Sequence, residues 1–387
     1  MPRLRSVVVV LGVVAIVGSS TQPLASAQTA AGAPVLTGLS WTSPTRGWAV
    51  GTTNVCADPV GADAVEPLRC VEQLFSTTDR GRSWTAVGST DGLVDIHFAN
   101  RDVGYSFNAT HSSNDSGSGF AMTTNGGRNW TPQPGPHVAA LTVAGRNVVR
   151  VSYTRTGCPG PCDWRIQTAA VGSTRWRTAP SPKPRFNNSV QLVHGGTNGV
   201  YAAFFGHTAG GAPDQTTDLL VSRNGGRTWA KRSDPCSADL TNEKDTVAIA
   251  AAAGGVVATL CYPRGATAGG YVKVSRDGAR SFGRAKLIPD SFLADTVAIA
   301  SARDVFLSTP FDLGTTAGPR LFASHDGGTK WTTVITEGPH GAHRAVAGTD
   351  LVGFLNSRSG YWVGGGQTIW TTADAGRSWT MNPSPGG

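Results

Sequence analysis

Glutamate is almost missing from this chain: Glu66, Glu72, Glu243 and Glu337 are the only four in 387 residues. Lysine is scarce too, at six against 27 arginines, and all charged residues together make up 15%. So few glutamates count against chemistry that needs one at the reacting centre. The 21 aspartates leave two-carboxylate glycosidase chemistry, an acid and a partner at a set separation, to be considered. Low charge with 50 glycines and 23 prolines fits a turn-rich all-β protein. No stretch has the run length or 3.6-residue periodicity of a helix bundle. No phosphate-cradling glycine loop is present either, because the Gly-Gly pairs fall at repeated turn positions.

Long apolar runs are also absent, with one exception at the start. "MPRLRSVVVVLGVVAIVGSS" carries Arg3 and Arg5, then an apolar run from Val7 to Gly18, and Ala25-Ser26-Ala27 follows. This reads as a secretory signal peptide, residues 1–27, cleaved after Ala27. The run is short for a bilayer span, and no cysteine follows the site to suggest a lipid anchor. The expectation is a secreted or extracytoplasmic mature chain, residues 28–387, with no membrane span. Losing Arg3 and Arg5 lowers the formal charge from +8 to +6. That balance admits an acidic polymer or anionic surface as partner without requiring one.

What is present is repetition. "TTDRGRSW" (77–84), "TTNGGRNW" (123–130), "SRNGGRTW" (222–229), "SRDGARSF" (275–282), "SHDGGTKW" (324–331) and "TADAGRSW" (372–379) share one register, and a worn copy, "AVGSTRW", ends at Trp176. The closing aromatics are Trp84, Trp130, Trp176, Trp229, Phe282, Trp331 and Trp379, spaced by 46, 46, 53, 53, 49 and 48 residues. A period in this range marks a repeat architecture. Each repeat reads as four strands, a to d. Strand a is apolar, as in "LVDIHFAN" (93–100), and strand b often carries glycine and an aromatic, as in "RGWAVG" (46–51) or "SGYWVGG" (359–365). A loop of variable length leads to strand c, the polar turn and strand d.

The turn has its own chemistry. Ser or Thr opens it, and Asp79, Asn125, Asn224, Asp277, Asp326 or Asp374 accepts hydrogen bonds from the turn's own N–H groups. The glycine two residues on supplies a backbone conformation that side chains resist. The aromatic then starts strand d pointing inward, where burial is worth roughly 2–3 kcal/mol.

The pattern S/T-x-D-x-G-x-T-W resembles the Asp-box, or bacterial neuraminidase repeat, of β-propellers. With the "GW-V-G" element before it, each repeat is similar to the propellers of photosystem II assembly and stability factors, and more distantly to sialidases. The resemblance covers nearly all of residues 35–382. It implies an all-β fold, a single seven-bladed β-propeller with four-stranded antiparallel blades and Asp-box c–d turns, beginning near Val35 and ending near Met381. Residues 28–35 are a candidate outer strand closing blade 7. Asp-boxes serve enzymes and binders alike, so the resemblance implies fold more than function.

Strand order then sorts the connections. The a–b and c–d turns share one face, and the b–c loops and d–a connections share the other. Length variation sits in the b–c loops, at 51–73, 108–119, 206–218 and 263–270, a usual seat of recognition. Six cysteines in an exported chain are expected to pair. The repeat map places Cys56–Cys70, Cys158–Cys162 and Cys236–Cys261 as three local disulfides on this loop face. "CPGPC" (158–162) lacks the further ligands a zinc site needs.

The turn face is basic. Arg46, Arg101, Arg146, Arg303 and Arg358 recur in the a–b turns, and Arg82, Arg128, Arg227, Arg280, Lys330 and Arg377 follow the c–d glycines. The first set is the candidate binding face. Each arginine could instead pair with its own blade's turn carboxylate or pack on its tryptophan. The assembly factors that the chain resembles use an arginine-rich propeller face, which implies a binding role.

Sialidase chemistry calls for three carboxylate-gripping arginines, a tyrosine nucleophile with a glutamate, an aspartate acid and an early Arg-Ile-Pro. Here Arg165-Ile166-Gln167 lacks the proline, and no glutamate sits on a strand a. Asp95, Asp245 and Asp295 remain as aspartates on or before inner strands, with no spacing that joins them. His340 and His343, in "HGAH", are two potential ligands in a loop, too few for a metal site. The tryptophans are used in blade packing and leave no set for nucleic acid. The sequence reading is an exported, non-catalytic, monomeric scaffold, without cofactor or metal, binding a protein or an acidic or carbohydrate polymer of the cell envelope. A sialidase-like glycoside hydrolase and a carbohydrate-binding lectin are the alternatives.

Overall fold

The computed structural model describes residues 34–52, 72–90, 95–107, 119–153, 163–184, 189–205, 217–236, 244–263, 269–289, 294–309, 318–337, 351–364 and 368–385. They form seven four-stranded antiparallel sheets, and each sheet takes its strands in simple a-b-c-d order from one contiguous stretch of chain. The innermost strands are Val35–Trp41, Asp95–Phe98, His137–Ala144, Ser189–Gly195, Lys244–Ala252, Thr296–Ile299 and Leu351–Phe354, which neighbour one another around the ring. Outer strands are short, down to Thr131–Pro132, Arg177–Thr178 and Lys286–Leu287. The chain is a seven-bladed β-propeller.

Alternating side chains of each strand face the blade before and the blade after. Every junction therefore holds its own apolar cluster. Blades 1 and 2 share Trp48, Val50, Leu74, Ile96 and Phe98, and blades 5 and 6 share Leu260, Val272, Val297, Leu307 and Phe322. The ring closes in the same way, by Leu36, Leu39, Trp41 and Ala49 of blade 1 against Val363 and Ile369 of blade 7. Among the described residues no strand is exchanged between blades, and residues 28–33, the candidate closing strand, lie outside them. Inner strands are also stitched across junctions: Ser40 Oγ accepts from the Phe98 N–H at 2.8 Å and Gln191 Oε1 from the Ile249 N–H at 2.8 Å.

Candidate functional site

One hydrogen bond, repeated in every blade, defines the turn face. The backbone N–H of Arg80, Gly126, Val171, Gly225, Gly278, Gly327 and Ala375, each in a c–d turn, donates to a carbonyl in the a–b turn of its own blade, at 2.8–3.1 Å. The two sets of turns are thereby locked side by side on one end of the propeller.

Within six of the c–d turns the side chains form one motif. In blade 1 the Thr77 hydroxyl donates to Asp79 Oδ1 (2.8 Å) and accepts from the Gly81 N–H (3.0 Å). The Ser83 N–H also reaches Asp79 Oδ1, at 3.0 Å, and the Ser83 hydroxyl reaches Oδ2 at 2.6 Å. Asn125, Asn224, Asp277, Asp326 and Asp374 accept the matching hydroxyl and N–H bonds in blades 2, 4, 5, 6 and 7. The hydroxyl and backbone N–H of Ser83 together hold the Asp79 carboxyl at about 2. The indole then folds back on the turn, with Nε1 of Trp229, Trp331 and Trp379 donating to the carbonyl three residues earlier at 3.0–3.1 Å. Its rings cover the junction to the preceding blade, as Trp379 covers Phe306 at 6.1 Å.

These carboxylates are thus engaged by their own turns and not by arginine. Among the described residues no arginine side chain hydrogen-bonds its own blade's turn carboxylate. Arg128 and Arg377 instead donate to the main-chain carbonyls of Asn125 and Asp374, and Arg358 to that of Ala373. Arg101 pairs with its neighbour Asp102 at 3.0 Å, well exposed. Arg46 is half-buried, while Arg101, Arg146, Arg303, Arg358 and the whole second set from Arg82 to Arg377 are exposed. The structure brings all of them to one face. Asp79, Asp102, Asp277, Asp304, Asp326 and Asp374 share that face without matching the cations in number.

The face is broken by a cavity of about 70 Å³ where blade 7 meets blade 1. Trp41 and Tyr361 line it, their rings stacked at 6.3 Å, together with Arg80, Arg82, Leu355 and Ser359. Burial pushes the Tyr361 hydroxyl up to about 12. Arg80 escaped the sequence reading, although the signal was legible. It occupies the turn position held by Gly126, Gly225, Gly278 and Gly327 in four other blades, and its φ is 72°.

No family model and no curated protein sequence matches the chain. Solved structures do match. YCF48 bound to a D1 peptide superposes with a TM-score of 0.52 and 13% identity, over 89% of this chain and 94% of that one. YCF48 from Cyanidioschyzon merolae gives 0.53 and 12%, over 90% and 98%. An ancestral GH74 enzyme gives 0.57 and 12%, over 91% of this chain and 47% of the enzyme. The likeness is one of fold.

On the opposite face of the propeller, Cys236 and Cys261 are joined by a disulfide, with Cα atoms 5.8 Å apart. Asp234 beside it accepts from the Cys236 N–H (2.9 Å), the Thr246 hydroxyl (3.1 Å) and the Thr217 N–H (3.3 Å), and burial raises its carboxyl. Cys56, Cys70, Cys158, Cys162, His340 and His343 lie outside the described residues. Asp95, Asp245 and Asp295 stand at the starts of the inner strands of three different blades, 2, 5 and 6. Glu72 and Glu337 are buried: Glu72 Oε2 accepts from the Thr90 hydroxyl at 3.1 Å and Glu337 Oε1 from the Trp370 indole at 2.7 Å. Arg165-Ile166-Gln167 lies on strand c of blade 3, where Gln167 Oε1 accepts from Arg150 Nε at 2.9 Å. Among the described residues no three His, Cys, Asp or Glu gather as a metal site, and no helix is long and apolar enough to cross a membrane.

Proposed function

We propose that this propeller is an exported, non-catalytic scaffold that binds a protein partner through its turn face. The observation that carries the reading is the state of the charges there: turn carboxylates are held by their own hydroxyls and N–H groups, while arginines from successive blades are left exposed beside them. Such a surface attracts an acidic partner and steers its approach. A protein is favoured over a polymer because the YCF48 propeller, similar in fold and in span, was solved with a peptide of another protein bound. Export rests on the basic, apolar and small-residue segments before Gln28. The repeated turns are read as Asp-boxes in a scaffolding role.

Charge reversal at Arg101, Arg146 and Arg303 together tests the binding face. Retention of the wild-type chain on an anionic matrix should fall with salt, and the triple variant should lose it; equal retention of a folded triple variant would sink the reading. Turnover of fluorogenic glycosides, sialosides included, would overturn its non-catalytic part. Intact mass of the protein recovered from the medium should correspond to a chain starting at Gln28, and a retained leader would overturn export by this route.

A further inference from the structure

We infer that the rim of blades 3, 4 and 5 is a second binding surface, fitted to a flexible linear polyanion that runs along their outermost strands. This surface lies apart from the turn face and goes beyond the partner-binding reading above.

The sequence distributes charge unevenly over the rim. After the closing aromatic of each repeat the chain forms the outermost strand and leaves for the next blade. In blades 1, 2, 6 and 7 these segments, 85–90, 131–136, 332–337 and 380–385, contain no lysine or arginine. In blades 3, 4 and 5 they carry Arg177 and Lys183, Lys231 and Arg232, and Arg284 and Lys286. The three blades are consecutive, so the six cations form one stripe on the circumference of the ring. Arg177, Lys183, Lys231 and Arg284 are exposed, and Arg232 and Lys286 are half-buried. Among the described residues only Lys231 of the six has a carboxylate partner, the buried Asp218. The one acid in these three segments, Asp234, is taken up by Cys236, Thr246 and Thr217. The turn face, by contrast, mixes its arginines with aspartates.

Charge on an edge strand often serves to block pairing with another sheet. That role does not account for this distribution. The longest outermost strands, Thr332–Thr336 of blade 6 and Thr85–Gly88 of blade 1, carry no charge. Arg177–Thr178 and Lys286–Leu287 are only 2 residues long. The cations stand where an edge needs least protection.

The shape of the rim selects the partner. Seven blades share one full turn, so the outward directions of blades 3 and 5 diverge by about 100°. A flat lipid surface meets one blade at a time, with two cations and, in blade 5, the 70% exposed Leu287. A flexible chain follows the curve and meets all three blades. Arg177, Arg232 and Arg284 suit phosphate or carboxylate groups along such a chain, and each contact releases a condensed counterion.

The test is isothermal titration of the full mature chain with sodium polyphosphate over a series of salt concentrations. Binding should be saturable, and log Kd should rise with log salt at a slope of about 3, roughly 0.7 for each unpaired cation. Reversal of Arg177, Lys183 and Arg284 to glutamate should weaken binding about tenfold or more and lower the slope by about 2, with the melting temperature kept. Arg177→Gln with Arg284→Gln removes charge alone and should lower the slope by about 1 should the reversal disturb folding. The charge reversal at Arg101, Arg146 and Arg303 should leave polyphosphate binding intact. Retention on an anionic matrix, whose fixed charges meet the rim one blade at a time, remains a separate readout of the turn face. A slope near zero in the wild-type chain, unchanged affinity in a folded rim variant, or loss confined to the turn-face variant would overturn the inference. Anionic phosphatidylglycerol vesicles that bind the wild-type chain in the same salt and lose the rim variant would also overturn it, by making the surface a lipid site.

Discussion

The guanidinium of Arg150 lies over the indole of Trp176, its Cζ 4.0 Å from the ring centroid and 5.1 Å from that of Phe120. Arg150 is 3% exposed, and burial lowers it to about 10. The cation is held at the junction of blades 2 and 3 by aromatic faces and by Gln167, not by a carboxylate. Blade 3 is the blade whose c–d turn lacks the Asp or Asn, and its tryptophan is fixed by the arginine instead.

Replacing Arg150 by Lys should destabilise the propeller by about 2 kcal/mol, because a compact ammonium loses the planar stacking and is harder to desolvate. Arg150→Met should cost less, since it fills the space without a buried charge. Urea unfolding of the two variants measures this; a lysine variant as stable as wild type would show that stacking is not what holds the junction.

The turn aspartates predict an acid limb. Asp79 is lowered to about 2 by the Ser83 hydroxyl first, Asp326 is lowered by the Lys330 N–H first, and Asp277 is lowered by the Ser281 hydroxyl first. Each folded value lies below the unfolded one, so the stabilisation is complete above about pH 4 and is lost as pH falls towards 2. Asp79→Asn keeps the Oδ1 acceptor seen with Asn125 but loses the charged contact to the Ser83 hydroxyl. It should lower the melting temperature at pH 7 and leave it unchanged near pH 2; an equal drop at both would refute the ionic origin.

Two left-handed turn positions should answer oppositely to substitution. A methyl at Gly226, φ 85°, would meet Val149 Cγ2 at 2.3 Å. Gly226→Ala should therefore cost about 2–3 kcal/mol from overpacking and backbone strain. Ala279 already occupies the matching place in blade 5 at φ 59°. Ala279→Gly should shift stability by less than about 1 kcal/mol, as relief of strain offsets the lost methyl burial. Thermal melts of the two variants give the comparison, and similar losses in both would contradict it.

The Cys236–Cys261 bridge closes 25 residues and is almost fully buried. Its removal by a double Cys→Ala change should cost about 3 kcal/mol. Thiol labelling in dithiothreitol should find these two sulfurs protected at low urea and reactive through the unfolding transition; labelling in the native state would contradict the burial.

The fold was legible because its signals are local. Ser or Thr, Asp or Asn two places on and the left-handed residue two places further close their hydrogen bonds within eight residues, so spacing alone exposed the seven repeats and sorted the turns to one face. Arg46, Arg101, Arg146, Arg303 and Arg358 could be placed there from strand order, but that they make no bond to the c–d turn carboxylates of their own blades could not, because Ser83, Ser281 and Ser378 take those oxygens. Glu337 lies just past the outermost strand of blade 6 and is buried on Trp370, a contact across 33 positions that no local pattern shows.

By itself the sequence determined the repeat, the turn and the number of blades, all set by chemistry within one repeat length. Tertiary structure alone decided how the ring ends meet. Trp41 and Tyr361 are 320 residues apart in the chain, and how their volumes fit depends on the rotation accumulated over all seven blades. Such a sum is invisible to any local pattern. At that meeting Arg80 and Arg82 of blade 1 border one small cavity beside the stacked rings of Trp41 and Tyr361.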